Sequence, residues 1–149
     1  MRARRGYSFV ELLTVISVLG ILAALAVPRY RNLKTRAIAA QAVGDFGAVR
    51  VASFNYFADK GAYPPDAGPG ITPPELVPYL PQTFEFDQEN YDLDYDSYTV
   101  SNGSGSTHVL AITVRSGDPT IVQHVARSIS GGAVGLVVGS SFTYVITGL

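Results

Sequence analysis

The 149-residue chain contains no cysteine, no tryptophan, one methionine and two histidines. Without cysteine there is no disulfide framework, no thiolate-ligated zinc and no thiol nucleophile. The compartment therefore has to be read from something other than redox chemistry. Charge is scarce as well: 15% of residues are charged against 47% hydrophobic, which argues against a disordered, solvating chain. A net charge of −1 argues against a surface that coats nucleic acid. The length suits one domain rather than two.

The little charge there is lies unevenly. Residues 1–36 hold seven of the eleven basic residues and a single acid, Glu11, whereas residues 37–149 hold four basic residues and eleven acids. From Leu12 to Val27 the chain reads LLTVISVLGILAALAV, with no charge at all. Arg2, Arg4 and Arg5 precede this run, a pattern of targeting or membrane segments. One reading is a secretory signal peptide, since Ala24-Leu25-Ala26 offers a small-residue cleavage site. Another is a single-span anchor: residues 7–27 would rise about 32 Å as a helix, against a hydrocarbon core of about 30 Å.

Neither reading accounts for Glu11. A carboxylate within a span costs energy unless it sits at headgroup depth or has a partner. Cleavage after Gly6 would create one, because the new α-ammonium of Tyr7 stands four residues from Glu11 on the same helix face. Opposite charges in low dielectric pair strongly, within one chain or between neighbours.

These residues carry a family resemblance. Arg4-Arg5-Gly6, then Tyr7-Ser8-Phe9-Val10-Glu11, then an apolar run with Gly20 and Pro28, resembles the leader of type IV pilins and type II secretion pseudopilins. Glu11, Gly20 and Pro28 stand where that family places its Glu, Gly and Pro; Tyr7 replaces the usual Phe and Ser8 the usual Thr. The resemblance covers about the first 30 residues. It implies cutting between Gly6 and Tyr7 by a prepilin peptidase on the cytoplasmic side, N-methylation of Tyr7, and assembly through Glu11 on an inner-membrane platform. It also implies that the Gly20–Pro28 stretch can unwind in a filament. Arg29, Arg31, Lys34 and Arg36 follow the span, so the count of positive charges does not set orientation. The leader resemblance places the C-terminal bulk outside the cytoplasm, with these four as a collar at the headgroups.

Beyond Pro28 the helical pattern continues. Ile38, Ala42, Phe46, Val49, Ser53 and Phe57 recur at three- and four-residue spacing, and Lys60-Gly61 is a stop signal. A helix from 7 to 59 would be about 80 Å long. Its first half belongs in lipid or among other chains, and only its second half can pack on its own domain. Pro28 should kink it and Gly20 weaken it.

Residues 61–90 hold seven of the nine prolines, an ordered-loop composition. Thr72-Pro73-Pro74-Glu75 predicts one short helical turn with a capping box, and Gly61-Ala62-Tyr63-Pro64 is similar to a tetrapeptide that follows the long helix in pseudopilins. The period then changes to two. Tyr98 and Val100 lead to a turn at Asn102-Gly103, with Leu110, Ile112 and Val114 sharing a face beyond it. Asp118-Pro119 should start a helix with Ile121, Val122, Val125 and Ile129 inward, ended by Gly131-Gly132. Residues 133–138 and 141–147 flank Gly139-Ser140 as a second hairpin, with Phe142, Tyr144 and Ile146 alternating. The expected fold is α+β and pilin-like: a cleaved leader at 1–6, a long helix at 7–59 whose residues 7–28 cross the membrane, and a globular domain at 60–149 with about four antiparallel strands.

No catalytic constellation is legible. His108 and His124 lack a neighbouring cysteine or an H-E-x-x-H pattern, no serine sits in a G-x-S-x-G elbow, and residues 131–135 match no phosphate loop. The acids cluster, with Asp87, Glu89, Asp92, Asp94 and Asp96 inside ten residues. An EF-hand would need Gly at 97 and Glu at 103, where the chain has Ser97 and Gly103. On a strand, Asp92, Asp94 and Asp96 would share one face opposite Leu93 and Tyr95. Such a row suits a solvated edge that resists aggregation, or oxygen ligands for calcium. The resemblance implies a calcium-bound loop in major pseudopilins, but its ligand positions do not map onto this chain.

The expected role is structural: a subunit that polymerises with identical or related pilin subunits into a periplasmic pseudopilus or a surface pilus. Nucleic acid is not an expected partner. The rivals are a membrane-anchored calcium-binding or adhesin module that never polymerises, and a secreted protein cut after Ala26.

Overall fold

The structure, a computed structural model, describes residues 7–101, 106–129 and 135–147. Asn102-Gly103 and Gly131-Gly132, read as a turn and a helix stop, lie outside the described residues, as does Gly6. A helix α1 (Phe9–Lys60) is followed by strands β1 (Asp92–Ser101) and β2 (Ser106–Arg115), a helix α2 (Pro119–Ile129), and strands β3 (Gly135–Val138) and β4 (Ser141–Thr147). This is the expected α+β arrangement. The chain divides into two compact units, one ending at Thr35 and the other beginning at Arg36, so α1 contributes to both.

Within the second unit, α1 buries Ala39, Ala42, Phe46, Val49, Ala52 and Ser53. Three alanines in that stripe leave room for the aromatic rings of the sheet; Phe46 meets Tyr144 edge-on with ring centroids 5.3 Å apart. The one hydroxyl in the stripe is satisfied inside the helix, where Ser53 Oγ donates to the Val49 carbonyl at 2.7 Å. Tyrosines of the domain also reach helix carboxylates. Tyr91 donates its hydroxyl to Asp45, and Tyr79 donates to Asp59 at 2.9 Å. Burial, reinforced by the Asp45 bond, pushes the Tyr91 hydroxyl well above the ordinary tyrosine range, so it stays a donor. The helix stops as expected: Gly61 adopts φ +72°, and its N–H bonds the Phe57 carbonyl at 2.8 Å.

The four strands form one antiparallel sheet in the order β1-β2-β4-β3. Its register sets Leu93 against Val114, Tyr95 against Ile112, Val114 against Phe142 and Ile112 against Tyr144. The apolar alternation of three strands therefore falls on one face, and these residues join the α1 stripe in a single core. Gly139 opens the two-residue loop between β3 and β4 with φ +60°, as a type II′ hairpin requires at that position.

Two expectations need correction. The helical turn in the proline-rich segment is a 3₁₀ helix at Val77–Tyr79, capped by Leu76 without any side-chain bond. Pro74 disfavours helical backbone at Pro73, which works against a helix capped at Thr72. Glu75 Oε2 is left buried without a hydrogen-bond partner. Nor are the acids of β1 a row facing water. β1 is an edge strand, but its first half is covered by loop backbone: Gly70 N–H bonds the Leu93 carbonyl and Leu93 N–H bonds the Phe86 carbonyl, each at 2.9 Å. Asp94 is buried beneath that cover.

α2 buries Ile121, Val122, Val125 and Ala126. Asp118 caps it, its Oδ1 accepting the Thr120 N–H at 2.8 Å and the Thr120 hydroxyl at 2.5 Å. These bonds hold the Asp118 carboxyl below the usual range. Asp118→Ala should cost about 1 kcal/mol at neutral pH in denaturant unfolding of the detergent-solubilised chain. A lowered carboxyl stabilises the fold above its unfolded value of about 3.9. The gap between wild type and variant should therefore close as pH falls through the still lower folded value.

Candidate functional site

Among the described residues, nothing within its own unit covers the apolar run of α1. Every side chain from Tyr7 to Lys34 is exposed, Tyr7 at 84% and Phe9 at 77%. The helix is long and apolar enough to cross a membrane, and no residue of its most apolar window is buried. Its polar side chains are few and inwardly satisfied. Thr14 Oγ1 donates to the Val10 carbonyl and Ser17 Oγ to the Leu13 carbonyl, both at 2.8 Å. Hydroxyls tied back this way add no unmet donor to a surface in lipid or against another helix.

Glu11 is the acid in the first turn. Its Oε2 accepts the backbone N–H of Ser8 at 2.8 Å, which is one arm of a capping box with Ser8 as the cap and Glu11 three residues on. The S-x-x-E signature at 8–11 is the local sequence signal for this bond, distinct from the charge of Glu11. A carboxylate in the first turn also faces the positive end of the helix dipole. Glu11 is thus held at the helix start, beside Tyr7.

Gly20 lies inside α1 with open space around it: a Cβ built there meets nothing within 4 Å. Pro28 also lies inside α1, which runs through it. Arg29, Arg31, Lys34 and Arg36 are exposed, and among the described residues none of them makes an ion pair.

The acids of β1 are divided. Asp92 stands opposite Arg115 in the sheet register and takes its guanidinium, with Nη2 at 2.6 Å and Nε at 2.8 Å from Asp92 Oδ2. Asp94 and Asp96 instead come together with Asp66, from the proline-rich loop. Asp66 was not singled out in the sequence, where its only local signal is a turn: its Oδ1 accepts the Gly68 N–H at 2.7 Å. Of the histidines, His108 is exposed and meets Thr99 Oγ1 through Nδ1 at 3.2 Å, and His124 lies on α2.

Comparison with known proteins agrees with this N-terminal geometry. The profile of the prokaryotic N-terminal methylation motif matches residues 1–27. In that segment the chain resembles type IV pilins and type II secretion pseudopilins. A fimbrial protein of Pseudomonas aeruginosa is 25% identical over 134 residues, covering 90% of this chain and 75% of its own. The type II secretion system core protein G of the same species is 38% identical over 63 residues, 42% of this pilin-like chain and 44% of its own. The type IV major pilin protein PilE1 of Neisseria gonorrhoeae is 31% identical over 71 residues, 48% and 33% respectively. No solved structure matches the chain.

The Glu11 bond gives the pilin-like helix a testable start. Glu11→Ala should release the Ser8 amide, with a loss of about 1 kcal/mol and roughly five-fold faster hydrogen exchange in the first turn. Glu11→Gln, which keeps an acceptor, should exchange nearly as wild type. Exchange followed by mass spectrometry in detergent micelles measures both.

Proposed function

We propose that the chain is a structural subunit of a type II secretion pseudopilus or type IV pilus-like filament, stored in the inner membrane and polymerised through α1. The observation that carries this reading is a lone carboxylate held at the start of an apolar helix that its own unit leaves bare. A prepilin peptidase removes residues 1–6 on the cytoplasmic side and methylates the Tyr7 amine; residues 60–149 stand in the periplasm. Before cutting, Glu11 serves its own helix by accepting the Ser8 N–H. Cutting brings a positive charge within reach, and the carboxylate can then pair with the amine of its own or a neighbouring subunit.

The energetics explain why a polar pair is needed. Exchanging lipid contacts for helix contacts brings little hydrophobic gain, since lipid tails are as apolar as leucine. Van der Waals packing and the Glu11 pair must then set which subunit sits where. The role is structural, with partners of the same or a related kind, the peptidase and the membrane platform.

Intact-mass and N-terminal peptide analysis of the protein from membranes tests the processing: the expected start is N-methylated Tyr7. A start at Val27 would mean that the apolar run is discarded as a signal peptide, and the filament reading would fall with it. Substitutions test the pairing. Glu11→Gln keeps the cap and loses the charge, so it should insert normally and start its helix normally, yet give sharply reduced filament yield by shearing and immunoblot. Wild-type yield from that variant would refute the pairing role.

A further inference from the structure

Where α1 leaves its apolar run it carries Arg29, Arg31 and Lys34, interleaved with Tyr30 and Leu33. All five are exposed, Tyr30 at 69% and Leu33 at 65%. Residues 12–44 contain no acid, so this stretch of helix offers no carboxylate to balance the three cations. Among the described residues none of the three makes an ion pair. Residues 7–28 hold a single charged side chain, Glu11. Once residues 1–6 are cut away, the positive side chains beside the span all stand at this one end.

The first of these cations does not simply point to water. On an α-helix each Cα–Cβ bond tilts toward the N-terminus, and here the N-terminus lies across the apolar run. The Arg29 side chain is thereby directed back over the preceding turn. With Leu22, Leu25, Ala26, Tyr30 and Leu33 it lines one groove along the helix. Ala26, the smallest of the six, leaves that groove open between the leucines. The groove is apolar on the side of the span and cationic at its rim.

A phospholipid has the same polarity in the same order, acyl chain and then phosphate. Tyr30 suits the boundary, because its ring takes the apolar side and its hydroxyl the wet one. Arg29 offers planar donors that match two phosphate oxygens, and Lys34 adds charge one turn beyond Tyr30. Net charge decides which phospholipid fits. A zwitterionic headgroup brings its own cation, whereas an anionic one balances the helix. Orientation adds to this demand, since basic residues are favoured on the cytoplasmic side of a span and the orientation proposed above puts these three on the other. We propose that the groove from Leu22 to Leu33 seats one anionic phospholipid, its acyl chain against Leu22 and Ala26 and its phosphate between Arg29 and Lys34.

The site rests on α1 crossing the membrane, as proposed above, and not on polymerisation. The lipid belongs to the stored subunit and is left behind when α1 is drawn out of the bilayer. The anionic lipid content of the membrane therefore sets part of the resistance to extraction.

The test reconstitutes the full chain into vesicles of equal parts phosphatidylglycerol and phosphatidylcholine with the same acyl chains. Resistance to carbonate extraction reports insertion, and native mass spectrometry counts the lipids retained. Phosphatidylglycerol should be retained at least about fivefold over phosphatidylcholine, a factor expected of even one basic residue at an anionic surface. Joint Arg29→Gln, Arg31→Gln and Lys34→Gln should insert and lose the preference, whereas joint Arg2→Gln, Arg4→Gln and Arg5→Gln should keep it. Ala26→Leu keeps every charge but fills the groove, so it should retain several-fold less lipid. Wild-type retention by Ala26→Leu would mean diffuse attraction to an anionic surface and would overturn the site, as would displacement of the lipid by excess inorganic phosphate. Insertion without preference overturns the lipid site and leaves the membrane reading standing, while failure to insert overturns both.

Discussion

Apolar side chains must be covered by something, and this chain covers only part of its long helix with itself. From Arg36 onward α1 carries a stripe of alanines, Phe46 and Val49 that vanishes under the sheet. Before Thr35 it carries leucines, isoleucines and valines that the described residues of their own unit leave exposed. One element is therefore built to two standards. The outer part follows the rules of a soluble core, where narrow residues let a helix approach aromatic rings. The N-terminal part follows those of a lipid-facing segment, where hydroxyls turn back on their own backbone and charge is confined to the ends.

The sheet follows from the first of these demands. Three strands bring alternating apolar residues into register on one face, and the helix stripe closes over them. The other face holds what the core cannot: the Arg115–Asp92 pair, the Thr113–Thr143 bond at 2.9 Å, and Asp94. Loop backbone across the free edge of β1 does for that strand what a further strand would otherwise do, and turns an aggregation-prone edge into a covered one.

Much of this was legible in the sequence, and the reasons differ by element. Helix α1, its stop at Gly61, the Asp118 cap and the Gly139 hairpin all announce themselves through local rules, because each rests on residues within four positions of one another. The helical turn in the proline-rich segment lies later than expected because the second of two adjacent prolines disfavours helical backbone at the first. The acids of β1 were read as one row because strand periodicity places them on one face. Periodicity is silent on what lies above that face. Asp92 is matched by Arg115 across the sheet, whereas Asp94 and Asp96 are met by Asp66 from a distant loop. Long-range contacts of that kind have no local signature. Ser8–Glu11 is the opposite case, a local signature in which one carboxylate serves both as a charge and as a cap acceptor.

The empty space around Gly20 has a consequence for how this helix can vary. Among the described residues nothing presses on that position, and alanine would favour the isolated helix by about 1 kcal/mol. The single subunit therefore has no reason of its own to keep a glycine there. Any demand for one must come from a neighbouring backbone that approaches too closely for a methyl group, or from a need for the helix to loosen. A change that makes the monomer more robust at this position can make the assembled form worse, and stability measurements on the monomer would score it as an improvement.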